Sequence, residues 1–380
     1  MNRNRFSYNI FKFLIFLISF QYSAWGITPK IYSQLRIIII ASVALLFLIT
    51  FKNPNKYFQK ISIFRIHFSV LVSFTIIIFS LSLLGFNANF SPMFDLALAL
   101  MLLMIGLNIS INRKQYIKLI FLYITLNTLA ALSLVYKFAT GFIIYEQYLP
   151  LPKNQLAPVF GFAFILSIYH GVKINGLKKL YIFSLSILLI LSMLVLRGRA
   201  ALIGVFIVIF LWVVYYVRKR KNKIIYFSIF LGLLLLGWDF LYQAFFLNRN
   251  INDISNFSAG RTENYILGIK YIFSHAFMGE LTGPAFKGFQ NYDIHNYILI
   301  NLVRYGILFS LCIFIIYFSY FFLTIKSIRK NSYDTLEAGP LLMFMLFIIS
   351  QFEAGAPFAS GSLIFFPFFL MGQHIKYKYM

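Results

Sequence analysis

The feature that most constrains this chain is a succession of long apolar runs separated by short polar segments. Hydrophobic residues make up 61% of the 380 residues, and charged residues make up only 12%. A soluble domain of this length could not bury so much apolar surface. Each run is about 17–25 residues long, which is the length that crosses a bilayer as a helix. The sequence therefore predicts an all-α, polytopic integral membrane bundle that forms one domain over residues 1–380.

Twelve transmembrane helices fit this pattern of runs and polar segments. The predicted spans are Tyr8–Trp25, Gln34–Phe51, Ile66–Phe86, Met93–Ser110, Ile117–Phe138, Leu156–Val172, Leu180–Leu196, Ala200–Val217, Ile224–Phe240, Asn296–Thr324, Gly339–Phe352 and Leu363–Gln373. We expect the first run to remain as a span, because the residues up to Trp25 make a poor signal-peptide cleavage site. The single cysteine, Cys312, excludes an internal disulfide.

The net charge of +24 is distributed in a way that orients the chain. Basic residues gather in short clusters, such as Arg218 to Lys223 and Lys376 with Lys378, and two spans separate each cluster from the next. The positive-inside rule places these clusters and both termini in the cytoplasm. Most acidic residues then face outward: Asp95, Glu146, Asp239, Asp253, Glu263, Glu280, Asp293 and Glu353. The basic excess thus sets the topology and does not indicate nucleic-acid binding.

One polar segment, residues 241–294, is long enough to form a large loop on the outer, periplasmic side. Within it, apolar residues recur at helical spacing at Tyr265, Ile269, Ile272 and Ala276. This pattern predicts an amphipathic helix that lies on or dips into the membrane surface.

Three arginines are predicted on the outer side, against the usual charge bias. Arg197 and Arg199 lie in a very short turn between two spans, and Arg261 lies in the large loop. One interpretation is that Arg197 and Arg199 reach to lipid phosphates at the membrane surface. The other is that the guanidinium groups bind a phosphate or pyrophosphate, for which their planar, two-pronged geometry is suited. The presence of all three on one side favours the second interpretation.

His295 opens the tenth predicted span on the same side, next to Asp293 and Asn296. A histidine at this interface is a candidate general base for a sugar hydroxyl, and the alternative is a cap at the start of the helix. The sequence shows no convincing metal-ligand spacing, so we expect neither a metal nor another cofactor. No Lys, Arg, Asp or Glu lies at the middle of spans two to twelve, which disfavours an ion-coupled transporter.

Several short motifs resemble the superfamily of O-antigen polymerases and O-antigen ligases between Pro152 and Tyr317. In chain order they are Lys153-Asn154-Gln155-Leu156-Ala157, Gly198-Arg199-Ala200-Ala201-Leu202, Gly260-Arg261, Met278-Gly279, His295-Asn296-Tyr297 and Tyr305-Gly306-Ile307. The chain departs from the family pattern at three positions. Gly198 stands where serine is common, Arg304 where an acidic residue is frequent, and Asp293 where many ligases have a second histidine.

The resemblance implies a GT-C-like, metal-independent glycosyltransferase of the bacterial inner membrane with a periplasmic active site. Its donor would be a glycan on undecaprenyl pyrophosphate, and a chain-length regulator protein is a candidate partner. Arg199 and Arg261, assisted by Arg197, would hold the pyrophosphate, and His295 would orient or deprotonate the acceptor hydroxyl. Further candidate substrate-binding residues are Asn154, Gln155, Asn264 and Asn296.

The resemblance leaves two activities open. A polymerase would transfer the growing glycan to an undecaprenyl-linked repeat unit, and a ligase would transfer it to lipid A-core. Asp293 in place of the second histidine favours the polymerase. The alternative from another class is a flippase or other transporter of lipid-linked oligosaccharides.

Overall fold

The computed structural model describes residues 3–21, 29–51, 61–86, 90–141, 153–217, 261–288, 294–329, 338–353, 356–358 and 362–379. Within these ranges the protein is all-helical, with twelve α-helices, one short 3₁₀ turn at Gly279–Leu281 and no strand. The predicted all-α class is therefore confirmed.

The helices follow the predicted apolar runs closely. They are α1 (Arg3–Gln21), α2 (Pro29–Thr50), α3 (Ser62–Leu83), α4 (Ser91–Asn108), α5 (Arg113–Ala139), α6 (Lys153–Gly171), α7 (Leu177–Val195), α8 (Arg199–Val217), α9 (Arg261–Ser274), α10 (Tyr297–Arg329), α11 (Ala338–Ile349) and α12 (Ser362–Tyr379). Eleven of the predicted spans coincide with one of these helices. The ninth, Ile224–Phe240, lies outside the described residues, as do residues 241–260 and 289–293 of the large loop, which include Asp293.

Length and composition identify the chain as a multi-pass membrane protein. Five helical segments are long and apolar enough to cross a bilayer: Lys30–Thr50, Ser62–Leu83, Arg113–Ala139, Leu177–Val195 and Tyr297–Arg329. Large apolar side chains on these helices point outward, for example Leu48 on α2, Ile76 on α3 and Ile187 on α7. Such a surface suits lipid and would be unfavourable in water. The total number of crossings stays a prediction.

The C-terminal helix α12 is the centre of the bundle. Every residue from Leu363 to Ile375 is buried. Its closest neighbour is α4, where a Cβ atom at Gly106 would overlap the Phe369 carbonyl and one at Gly372 would overlap the Leu103 carbonyl. Small residues at this crossing let the two backbones touch, which is a common way for membrane helices to associate.

Helix α10 is sharply bent, which differs from the single crossing predicted over Asn296–Thr324. Gly306 has φ 65° and ψ −175°, a conformation essentially reserved for glycine. The Tyr297 and Tyr317 rings stack with centroids 5.8 Å apart. In a straight helix, residues so separated in sequence would lie about 30 Å apart. The limb 297–305 therefore doubles back along the limb 307–329, and only the second limb is long enough to span by itself.

The turn of α10 is packed against the segment that follows α9. The Ile307 amide donates to the Ala276 carbonyl at 2.7 Å. A Cβ at Gly306 would overlap the Phe277 carbonyl, and one at Gly279 would overlap the Val303 carbonyl. The Met278-Gly279 and Tyr305-Gly306-Ile307 motifs, far apart in sequence, are thus in direct backbone contact.

Helix α9 lies where the sequence predicts an amphipathic helix. Its buried side carries Asn264 and Gly268, and a Cβ at Gly268 would meet Ile294 beside α10. Its opposite side leaves Ile269 and Phe273 exposed. An exposed apolar stripe of this kind fits the predicted position at the membrane surface.

Candidate functional site

Three segments converge on one carboxylate, Glu353, which lies just beyond the end of α11. The Arg261 guanidinium Nη2 is 3.5 Å from Glu353 Oε1, and His295 Nδ1 is 3.5 Å from Glu353 Oε2. Asn154 Nδ2 donates a hydrogen bond to the same Oε2 at 3.0 Å. The carboxylate is only 12% exposed, whereas the Arg261 and His295 side chains are 30% and 31% exposed. The cluster is therefore partly sheltered but open on the side of the arginine and histidine.

The end of α11 fixes the position of Glu353. The helix ends at Ile349, and Ser350 then accepts a hydrogen bond from the Tyr297 amide through its carbonyl at 2.9 Å. Gln351 Nε2 donates to the Tyr317 hydroxyl at 3.0 Å. These contacts tie the segment before Glu353 to both limbs of α10.

The backbone around His295 is held on both sides. The Tyr265 hydroxyl donates to the His295 carbonyl at 2.9 Å. Asn296 Oδ1 accepts from the Leu299 amide at 2.9 Å, and its Nδ2 donates to the Gln351 carbonyl at 3.2 Å. The cap at the start of α10 is thus Asn296 and not His295. His295 is left with its ring directed at Glu353.

Tyr265 remains a hydrogen-bond donor in this environment. Burial raises the pKa of its phenol above the ordinary value, with Arg261 lowering the pKa and Glu353 raising it. A phenol whose pKa is raised stays protonated near neutral pH. Tyr265 can therefore hold the His295 carbonyl throughout that range.

The turn that carries Arg197 and Arg199 packs against α6, at a point about three residues after Asn154. Its centre, Gly198, approaches Ala157 so closely that a Cβ at Gly198 would overlap the Ala157 methyl group. Arg197 has φ 50°, in the left-handed region that residues other than glycine rarely adopt. Since Ala157 lies three residues after Asn154, about 4.5 Å along α6, the turn lies beside the Glu353 cluster.

The structure separates the predicted site residues into four groups. It brings Asn154, Arg261 and His295 together around Glu353. It places Arg197 and Arg199 in the neighbouring turn, and it leaves Gln155 exposed at the start of α6. Asn296 caps a helix, and Asn264 is 2% exposed on the face of α9 that packs against α10, which favours packing roles for these two side chains.

Glu353 is the residue that sequence reasoning missed. The charge distribution placed it on the outer side, but nothing in the sequence relates it to Arg261 or His295. The available signal was its isolation, because it is the one carboxylate between the last two apolar runs. A lone carboxylate beside a membrane span is costly unless it is paired.

The cluster combines three chemical abilities in one place. A guanidinium group can bind and neutralise an oxyanion, an imidazole can exchange a proton, and an amide can donate to an oxygen. Among the described residues, no group of three or more histidine, cysteine or carboxylate side chains is arranged to hold a metal ion. The expectation that no metal is used stays a prediction.

Comparison with known proteins adds no assignment to this site. No protein-family model matches the chain, and no curated protein matches it significantly.

Proposed function

We propose that the protein is a surface-polysaccharide polymerase of the O-antigen type. It transfers a growing glycan from undecaprenyl pyrophosphate to a sugar hydroxyl of an undecaprenyl-pyrophosphate-linked repeat unit. The reaction takes place at the outer face of the bacterial inner membrane. The observation that carries the proposal is the convergence of Arg261, His295 and Asn154 on Glu353. Residues that the resemblance had named for one reaction, in three separate segments, thereby lie within reach of one substrate.

Transfer requires two charge changes that the cluster is suited to assist. The acceptor oxygen attacks the anomeric carbon of the donor glycan, and the bond from that carbon to the pyrophosphate oxygen breaks. The electron pair of that bond leaves with undecaprenyl pyrophosphate. Arg261, with Arg199 and Arg197 from the neighbouring turn, stabilises the charge that develops on the leaving group. His295 accepts the proton of the acceptor hydroxyl.

The ligase remains the nearest alternative, because it uses the same donor and the same chemistry. A flippase is the alternative from another class. The Glu353 cluster supports an enzyme over a flippase, since a base and an anion-binding group beside each other serve bond cleavage and not merely passage.

The direct test is transfer by the purified protein in detergent or liposomes. Supplied with an undecaprenyl-pyrophosphate-linked repeat unit alone, it should produce a ladder of longer glycans and release undecaprenyl pyrophosphate. A flippase would move the lipid across the liposome membrane and leave glycan length unchanged.

Deletion of the protein in its host separates polymerase from ligase. Loss of a polymerase leaves a single repeat unit on lipid A-core, whereas loss of a ligase leaves bare core and long glycans on the carrier lipid. We expect the single-repeat band on a lipopolysaccharide gel. Bare core with polymer retained on undecaprenyl pyrophosphate would assign the protein as the ligase.

A further inference from the structure

The two oxygens of Glu353 are divided between different partners. Oε1 faces Arg261, and Oε2 faces both His295 Nδ1 and the Asn154 amide. Under the proposed function, Arg261 serves the pyrophosphate of the donor and His295 serves the hydroxyl of the acceptor. One carboxylate therefore connects the group that handles the leaving group with the group that handles the nucleophile.

A carboxylate at this position is unfavourable in two ways. Its charge repels a pyrophosphate, and burial to 12% exposure makes that charge more costly. Arg261 offsets part of this cost through its charge and Asn154 through a hydrogen bond. An amide or a hydroxyl, however, could fill the space without any repulsion. The benefit must then lie with a partner that gains from the negative charge.

His295 is that partner. Among the contacts of the described residues, none besides Glu353 fixes the orientation of its ring. The backbone of residues 295 and 296 is held by Tyr265 and by the capping contacts of Asn296. These contacts do not determine which ring nitrogen carries the proton. A carboxylate next to Nδ1 favours a proton on Nδ1, which leaves the lone pair of Nε2 available as the base.

We propose that Glu353 is the positioning residue of the transfer reaction. It holds His295 in the Nδ1–H form so that Nε2 accepts the acceptor proton, and its charge stabilises the imidazolium that results. The proton passes from the acceptor hydroxyl to Nε2 as the new glycosidic bond forms, and it later leaves for water. The inference rests on the proposed function and adds a residue that the resemblance did not name.

The kinetic test compares Glu353→Gln with the wild-type protein in the purified transfer assay. The amide keeps the shape of the side chain but removes the charge, so kcat should fall by about 10²–10⁴-fold. The KM for the donor should not rise, because removing a negative charge beside Arg261 does not weaken an anion site. Glu353→Asp keeps the charge and should recover part of kcat. A Glu353→Gln protein with wild-type kcat would overturn the proposal, as would a loss confined to donor KM.

Glu280→Gln is the matched control. Glu280 is another outer carboxylate, and its Oε1 accepts a hydrogen bond from the Phe286 amide at 2.6 Å. The glutamine oxygen can still accept that bond, so kcat and folded yield should be unchanged.

A spectroscopic measurement keeps the inference distinct from the proposed function. Nitrogen NMR of protein labelled with ¹⁵N-histidine reports which ring nitrogen carries the proton, and the His295 signals are identified by their loss in His295→Ala. We expect the neutral ring to be in the Nδ1–H form in wild-type protein and in a mixture of forms in Glu353→Ala and Glu353→Gln. Unchanged forms in both variants would overturn the pairing.

The two failures are therefore separable. If the wild-type protein transfers no glycan, the proposed function fails, while the NMR result still decides whether Glu353 orients His295. If transfer occurs but the Glu353 variants change neither kcat nor the ring form, the polymerase stands and the inference is wrong.

Discussion

Arg261 contacts Glu353 through one guanidinium nitrogen, Nη2, at 3.5 Å, and the side chain is 30% exposed. Other nitrogens of the fork can therefore reach a ligand from the open side. A lysine at this position would keep the charge but would offer a single ammonium group in place of a planar pair of donors.

We predict that Arg261→Lys lowers glycan transfer at least about tenfold while the protein inserts at normal levels, because a two-pronged contact to pyrophosphate is lost. The measurement is polymer length in vivo together with kcat of purified protein. Arg329→Lys is the control, since Arg329 is exposed at the far end of α10. Full activity of Arg261→Lys would favour simple contact with lipid phosphates.

The arginines beside Glu353 also bear on whether the protein needs a metal ion. If arginines neutralise the leaving group, no divalent cation is needed for that purpose, and we predict that purified protein keeps its activity in excess EDTA. A strict requirement for Mg²⁺ or Mn²⁺ would mean that a carboxylate, Glu353 above all, acts as a ligand.

The sequence could predict part of this cluster but not its centre. Arg261, His295 and Asn154 can be predicted from the resemblance. Arg261 is also indicated by its positive charge on the predicted outer side, where basic residues are rare. Glu353 could not be found in this way, because its significance lies in contacts across 92 residues to Arg261 and 199 residues to Asn154. Hydropathy and charge order report the side of the membrane, and they carry no information about which loops meet there.

At the scale of elements, the contact between α6 and the turn before α8 sets the distance between two predicted motifs. Gly198 allows that contact because any Cβ there would overlap the methyl group of Ala157. Both residues belong to motifs that the resemblance named.

We predict that Gly198→Ala destabilises the protein by about 1–3 kcal/mol through overpacking and reduces transfer. Ala157→Gly in the same chain should restore both, because it removes the methyl group that the new side chain would meet. The thermal unfolding of each purified variant and its transfer rate are the measurements. Failure of the double substitution to recover stability would show that the cost of Gly198→Ala arises elsewhere.

The helices themselves were largely predictable, and the bend in α10 was not. Membrane helices are long apolar runs, so their bounds follow from composition to within a few residues. The run from Tyr297 to Arg329 is mostly apolar on both sides of Gly306. Neither the isolated Arg304 nor a single glycine interrupts its hydropathy pattern. The reversal depends on φ 65° at Gly306 and on its contact with Phe277, which only the three-dimensional structure contains.

At the scale of the whole molecule, the turn beside the site and the basic cluster at Lys178 lie at opposite ends of α7. Helix α7 begins at Leu177, next to Lys178 and Lys179, and ends at Val195, next to the turn of Arg197. The turn of Arg197 packs against Ala157 on α6, one helical turn after Asn154, which contacts Glu353. The positive-inside rule then predicts that the Glu353 cluster lies outside the cytoplasm. This is the side on which the proposed reaction must occur.

Labelling of single cysteines tests this orientation, and with it the proposed function. In a Cys312→Ser background, Thr282→Cys lies beyond the 3₁₀ turn that packs against the Gly306 bend of α10, and Lys178→Cys lies at the end of α7 away from Arg197. Both positions are exposed. A membrane-impermeant maleimide added to cells with a permeabilised outer membrane should label position 282 at once. Position 178 should be labelled only after lysis, because a charged reagent does not cross the inner membrane. The reverse pattern would place Arg261, His295 and Glu353 in the cytoplasm, where the elongating glycan is not presented, and the polymerase proposal would have to be abandoned.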